Sequence, residues 1–523
     1  MKHAGGLLLL NALLFFSMGC VGTTHSNPDA GTALQVSIES GMLMGAFDDG
    51  VRVFRGIPYA APPVGNRRWK APEPAGKWSG IRAADRSGPV CPQPLNSDGS
   101  PNPGLAVGPS SEDCLTLNLW TPGNAKKAPV IVFIHGGAGV VGSGSVALYD
   151  GSAFARDGAV FVTINYRLGA LASFAHPALT AAANDTEPLG AYGLLDQIAA
   201  LGWIQCNIAA FGGDADNVTL FGQSSGGGGV LQMMTTAAAA ELFHKAIVHS
   251  GNGWWAPVTL KEQEQIGSIL VRNAGLSGGE ADLQQLLSLS PTALQPAGVN
   301  AVDGRLRKES VTQSIAAGHI AKVPLLIGWT SFEASSFRAA SAEGLVQAAP
   351  EVVREAYDDL PGTMVDRGLQ YYTDSHQGAP ARWIAAHAAA GAPSYLFHFS
   401  YVRTADRTTA RGASHGSELP YIFDSWQKMY PGIELSEEDL RMTQLMHACW
   451  LEFARSGRPA CAGAGEWPRY SSTTDQLLEL GATINVRSSF RKTQLDAIQH
   501  SMEHVLSEQR VSIDRFINGT ASR

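Results

Sequence analysis

The chain is short of charge. Asp, Glu, Lys and Arg make up 16% of its 523 residues, against roughly 25% in an ordinary soluble domain. It also lacks a basic run, and 38 basic against 46 acidic residues leave a net charge of −8. A nucleic-acid backbone would meet no cationic face, so nucleic acid is excluded as a partner. No apolar run approaches the ~20 residues that a membrane span needs. Internal repeats, low-complexity tracts and convincing linkers are absent, which argues for one large domain. Residues of the set AVILMFWYC reach 45%, enough to build a core and to exclude intrinsic disorder. No metal-ligand spacing or cofactor fingerprint stands out.

What is present begins at the N-terminus. Lys2 opens a short basic start, and Leu7 to Phe16 is apolar apart from Asn11. Small residues follow, the pattern of a secretory leader over residues 1–20. Cys20 stands where a lipoprotein leader is cleaved and acylated, although Ser17-Met18-Gly19 matches that signal loosely. The expectation is an exported protein, periplasmic or secreted, with a lipid anchor at Cys20 as the variant reading. Residues 21–33 read as a flexible segment and 34–515 as the folded domain. Export makes disulfides permissible. Cys91 and Cys114 form the first candidate pair, a loop whose closure is worth on the order of 3 kcal/mol. Cys449 and Cys461 form the next. Cys206 lies in an apolar helical pattern and reads as a buried free thiol.

Residues 34–55 read as short strands with glycines at the turns. A Pro-rich stretch from Pro58 to Pro103 reads as surface loop. Pro129–His135 and Ala159–Asn165 are continuous apolar runs, the mark of buried parallel strands. Val218–Phe221, Lys245–His249, Val323–Ile327 and Ser394–Phe399 read the same way. Helical spacing covers 193–209, the stretch after Gly226, 437–456 and 492–510. Strand alternating with helix predicts an α/β fold with a central, mostly parallel sheet. Stretches 257–320 and 340–390 read as helical insertions covering one end of it.

The strongest chemical signal is Gly222-Gln223-Ser224-Ser225-Gly226, between a strand and a helix. That context describes a nucleophile elbow, a sharp turn whose neighbours must be small. The second is His135-Gly136-Gly137-Ala138-Gly139 at the end of a buried strand. Acyl transfer creates an oxyanion that needs preplaced N–H donors, and small residues let backbone approach it. A serine nucleophile also needs a base and an orienting carboxylate. With 14 histidines the residues alone leave that choice open. In the order Ser, acid, His, two loops after later strands offer Glu333 and His415. His244 and His249 come too early and read as structural.

Several of these segments resemble one family. Phe211-Gly-Gly-Asp214 with Val218–Gly226, and Glu112-Asp-Cys-Leu-Thr-Leu-Asn-Leu-Trp120, are similar to the two signatures of the type-B carboxylesterase (carboxylesterase/cholinesterase) family of α/β-hydrolases. Phe54–Ala60, Asn165–Gly169 and Tyr192–Gln197 also resemble it, so the likeness runs from about residue 34 beyond 500. It implies Ser224 as nucleophile, Glu333 as acid and His415 as base. Gly137, Ala138 and Ser225 would supply the oxyanion-hole amides, and no cofactor is needed. It also implies a Cys91–Cys114 bridge and structural ion pairs Arg68–Glu112 and Arg167–Asp196. The chain departs from the family where Ala138 replaces a third glycine, where Ala334 replaces the glycine after the acid, and where Gln223 replaces the cholinesterase glutamate. Losing that charge disfavours cationic, choline-like substrates. Trp254 and Trp255 fall where the family builds part of its acyl pocket, with core packing the competing reading. Phe332 and Phe337 flank Glu333 and could serve either role. The expected substrate is a small hydrophobic, uncharged ester. Lipase, polyester or toxin-ester hydrolysis is the alternative on the same chemistry, and a non-catalytic binding or adhesion protein the remote one.

Overall fold

The computed structural model describes residues 34–294, 301–336 and 342–519. The leader, the 21–33 segment, Cys20 and Phe337 lie outside them. Fourteen strands are described in chain order. They are β1 (Gln35–Ile38), β2 (Gly41–Met44), β3 (Ala46–Asp48), β4 (Val51–Pro58), β5 (Ile81–Ala83), β6 (Thr116–Thr121) and β7 (Ala128–Ile134). Then follow β8 (Val160–Ile164), β9 (Gly213–Gln223), β10 (Lys245–His249), β11 (Leu325–Thr330), β12 (Ser394–Phe399), β13 (Gln476–Leu480) and β14 (Ile484–Ser488). β1, β2 and β5 make a small separate sheet, and the others form one sheet in the order β14-β13-β12-β11-β10-β9-β7-β8-β6-β4-β3. From β8 across to β13 all neighbours are parallel. β14 at one edge, and β6, β4 and β3 at the other, add antiparallel pairings. This is the α/β-hydrolase arrangement, a large mixed sheet flanked by helices.

Successive side chains of a strand point to opposite faces. Along β7, Val130, Val132 and Ile134 enter one core with Val162, Leu220, Val248 and Ile327. Ile131 and Phe133 enter the other with Phe161, Phe221, Leu326 and Phe397. Burial on both faces is why these strands read as unbroken apolar runs. The second core is aromatic: Phe133 meets Phe221 and Phe423 edge to face at 4.9 and 5.0 Å.

The helix Tyr192–Asn207 packs on the first core. Among the described residues, Tyr192–Phe211 is long and apolar enough to cross a membrane by length and composition, but 56% of that window is buried in the fold. It also carries Asp196, which is fully buried and takes two hydrogen bonds from the Arg167 guanidinium, at 2.8 and 2.7 Å. The Arg68–Glu112 pair is formed as well, bidentate at 2.7 and 2.5 Å. Helix Glu437–Ser456 matches its expected span. It opens on a reciprocal Ser436–Asp439 cap and ends at Gly457 in the left-handed region. The expected 492–510 helix breaks into Lys492–His500 and Met502–Gly519.

Cys91–Cys114 and Cys449–Cys461 are both bridged. The reading of Cys206 as a buried free thiol is corrected: it is disulfide-bonded, and its helix position leaves it half-exposed rather than inside the core.

Candidate active site

The segments singled out for chemistry meet at the carboxyl ends of the parallel strands, where open α/β sheets place their ligands. β9 ends at Gln223, and the helix Ser225–Met234 starts two residues later. Ser224 between them has φ 58° and ψ −128°, a conformation costly for a side chain and held by its surroundings. A Cβ at Gly222 would lie 2.3 Å from the Gly226 carbonyl oxygen, and one at Gly226 would lie 2.0 Å from that of Ile134. Only glycines let the elbow close this tightly against β7. The Ser224 N–H donates to the His249 carbonyl on β10 at 2.9 Å, fixing the turn to the next strand.

The loop after β7 faces the elbow. Gly137 has φ 110° and Ala138 φ 57°, both left-handed. A Cβ at Gly137 would sit 2.1 Å from the Val141 carbonyl oxygen, so this position excludes any side chain. Val140 and Val141 N–H both donate to the Gly137 carbonyl, closing a tight turn. Among the described residues the N–H groups of Gly137 and Ala138 have no acceptor. Ser225, the first residue of the elbow helix, brings a third N–H that has no partner within its helix. Its hydroxyl accepts from Gly139 N–H at 3.1 Å and so ties the two loops together. Gln93 braces the far end: its amide donates to the Gly142 carbonyl and accepts from the Gly142 N–H, both at 2.8 Å.

The loops after β11 and β12 bring Glu333 and His415 together. His415 Nδ1 lies 2.5 Å from Glu333 Oε2. The other carboxylate oxygen accepts from the Ser250 hydroxyl at 2.6 Å and from the Thr330 N–H at 2.7 Å. The two loops are also clasped by Phe332 N–H on the Ala413 carbonyl and His415 N–H on the Ser335 hydroxyl, at 2.9 and 3.0 Å. Burial alone would raise the Glu333 carboxyl pKa, but the His415 charge and these donors outweigh it and hold it below the usual range. For His415 burial pulls the pKa down, yet the Glu333 carboxylate, with help from Glu418, leaves it raised. His135, by contrast, is pushed down to about 4 by burial and stays neutral under its Tyr166 neighbour.

Ser250 was not legible as a site residue, and the Gln223 side chain, which the sequence placed beside the nucleophile, lies 3.2 Å from His415 Nε2, a contact the sequence did not show. Their partners lie 83 and 192 positions away, and no local pattern announces such contacts. His249 is structural, as expected. Trp450 donates to its Nε2, so its Nδ1–H faces the buried Glu418 carboxylate at 3.1 Å. His244 accepts from the Val218 N–H.

The aromatic candidates separate. Trp254 is a core residue and no pocket wall: it is 0% exposed and meets Trp383 edge to face. Trp255 is half-buried, with its ring 2.7 Å from where a Gly228 Cβ would be. That places it on the elbow helix, one turn past Ser224. Phe332 packs against Ala334, Ala342 and Leu369.

The sequence profile of the carboxylesterase family matches residues 32–355 and 343–498. The chain is 33% identical over 485 residues to a para-nitrobenzyl esterase of Bacillus subtilis (strain 168), covering 87% of this chain and 96% of that one. It is 33% identical over 487 residues to a phenmedipham hydrolase of Pseudarthrobacter oxydans, covering 84% and 94%. A solved PNB esterase structure superposes with a TM-score of 0.78 at 31% identity, covering 89% of this chain and 99% of that one.

Proposed function

The chain belongs to the carboxylesterase family and is a serine ester hydrolase, and on that premise we propose that it cleaves hydrophobic, uncharged esters through a Ser224–His415–Glu333 triad and an acyl-enzyme. The observation that carries the reading is the His415–Glu333 bond of 2.5 Å in the loops beside the strained Ser224 elbow. His415 Nε2 takes the Ser224 proton as Oγ attacks the ester carbonyl. The unclaimed N–H groups of Gly137 and Ala138, with that of Ser225, meet the oxyanion. His415 then protonates the leaving alcohol, and water repeats the steps to release the acid. Glu333 keeps the Nδ1–H oriented and stabilises the imidazolium. Gln223 puts no charge beside the nucleophile, which favours neutral esters. Residues 34–515 would form the catalytic domain, exported by leader 1–20. The Cys91–Cys114 and Cys449–Cys461 bridges fit an oxidising compartment. Mass spectrometry of the mature N-terminus distinguishes free release from a lipid on Cys20.

The test is initial hydrolysis rate on p-nitrophenyl esters from acetyl to palmitoyl, beside Ser224→Ala. A short-chain optimum that vanishes in the variant is expected. A long-chain optimum would move the substrate class to lipids, and an unaffected variant would overturn the triad.

A further inference from the structure

We propose that Gln223 is a positioning residue for His415: its side-chain amide holds the Nε2 lone pair of the resting imidazole, and acylation begins when the Ser224 hydroxyl displaces it. The inference rests on the triad proposed above. With Nδ1–H directed at Glu333, Nε2 is the ring's acceptor. The Gln223 amide nitrogen, which can only donate, lies 3.2 Å from it. Among the described residues the Ser224 hydroxyl has no hydrogen-bond partner. The acceptor that the mechanism assigns to Ser224 is therefore occupied by the residue before it.

The amide is confined. Gln223 is 5% exposed. A Cβ on Gly136 would sit 3.0 Å from its Oε1, and one on Gly416 would sit 3.5 Å from its Nε2. The oxyanion loop lies on one side and the base loop on the other. An amide can turn over within such a space, donating N–H to the neutral ring and offering Oε1 to the protonated one. A carboxylate there could serve only the protonated ring. The charged groups facing His415 are Glu333 from the loop after β11 and Glu418 from its own loop, the latter bonded to neutral His249. Glutamine adds a switchable dipole and no third charge.

The test has two parts. Gln223→Met removes the donor at similar volume, and phosphorylation by diethyl p-nitrophenyl phosphate should quicken about fivefold, the effect of one neutral hydrogen bond. Gln223→Glu adds an opposite charge beside the ring, which should lift the acid limb of the kcat/KM profile by about one pH unit or more. Rates and pH profiles matching the parent in both folded variants would overturn the proposal. Should the variants not fold, the Nε2 signal in ¹⁵N-histidine NMR of the intact enzyme decides. With Gln223 as resting donor, the hydrogen-bonded Nε2 signal of His415 persists unchanged in Ser224→Ala. A signal that shifts to the unbonded position in Ser224→Ala would make Ser224 the resting donor. Ser224→Ala that still hydrolyses esters would instead sink the triad itself.

Discussion

Ser250→Ala removes one of the three donors that hold the Glu333 carboxylate. The hydroxyl donates at 2.6 Å to a carboxylate that is 2% exposed. A hydrogen bond to a charged group contributes about 1.5–3 kcal/mol. Its loss should raise the Glu333 carboxyl pKa, because a donor to the charged form is gone. The sign follows from the folded-state value lying below the usual one. Stability from Glu333 is present above its unfolded pKa and lost as pH falls through the folded one. The stability gap between parent and variant should therefore be full at pH 7, shrink through the carboxylate range, and close where Glu333 is protonated in both. Catalysis should suffer with it, because the imidazole loses a fixed partner: kcat falls about tenfold while KM stays. Ser250 sits at φ 47°, so Ser250→Gly serves as control, lacking the hydroxyl but free of backbone strain. Denaturation across pH and steady-state kinetics read both effects. Parent-like kcat and pH dependence in both variants would refute the reasoning.

Three further outcomes are expected. Gly226→Ala would bring a methyl 2.0 Å from the Ile134 carbonyl oxygen, a backbone atom, so activity should be lost along with about 1–3 kcal/mol of stability, measured by urea unfolding. Asp196→Asn leaves the fully buried Arg167 guanidinium without its counter-charge and should cost about 3–5 kcal/mol in the same assay. Cys91→Ser with Cys114→Ser opens a 23-residue separation, costing about 3 kcal/mol. Because Gln93 brackets Gly142 from inside that loop, kcat should also fall, unlike in a Cys449→Ser/Cys461→Ser variant.

The sheet centre was legible because β7 to β12 are buried on both faces and read as plain apolar runs. Its edges were not. β6 hides inside the Glu112–Trp120 motif, and β14 is largely exposed, so neither shows the period of a core strand. Val323 reads as strand, but β11 begins only at Leu325, after Pro324. Ser224, Glu333 and His415 could be ordered along the chain, whereas Ser250, Gln93 and the Gln223 amide act through contacts that only the fold creates. Trp254 shows the converse: a position suited to a pocket became core because its ring turns inward onto Trp383.

The most direct test of the central claim is to treat the enzyme with diethyl p-nitrophenyl phosphate and map the adduct by peptide mass spectrometry. One diethylphosphoryl group on Ser224, formed in step with loss of esterase activity and absent from Ser224→Ala, is the predicted result. Inactivation with the label on any other residue, or full activity retained by Ser224→Ala, would contradict it.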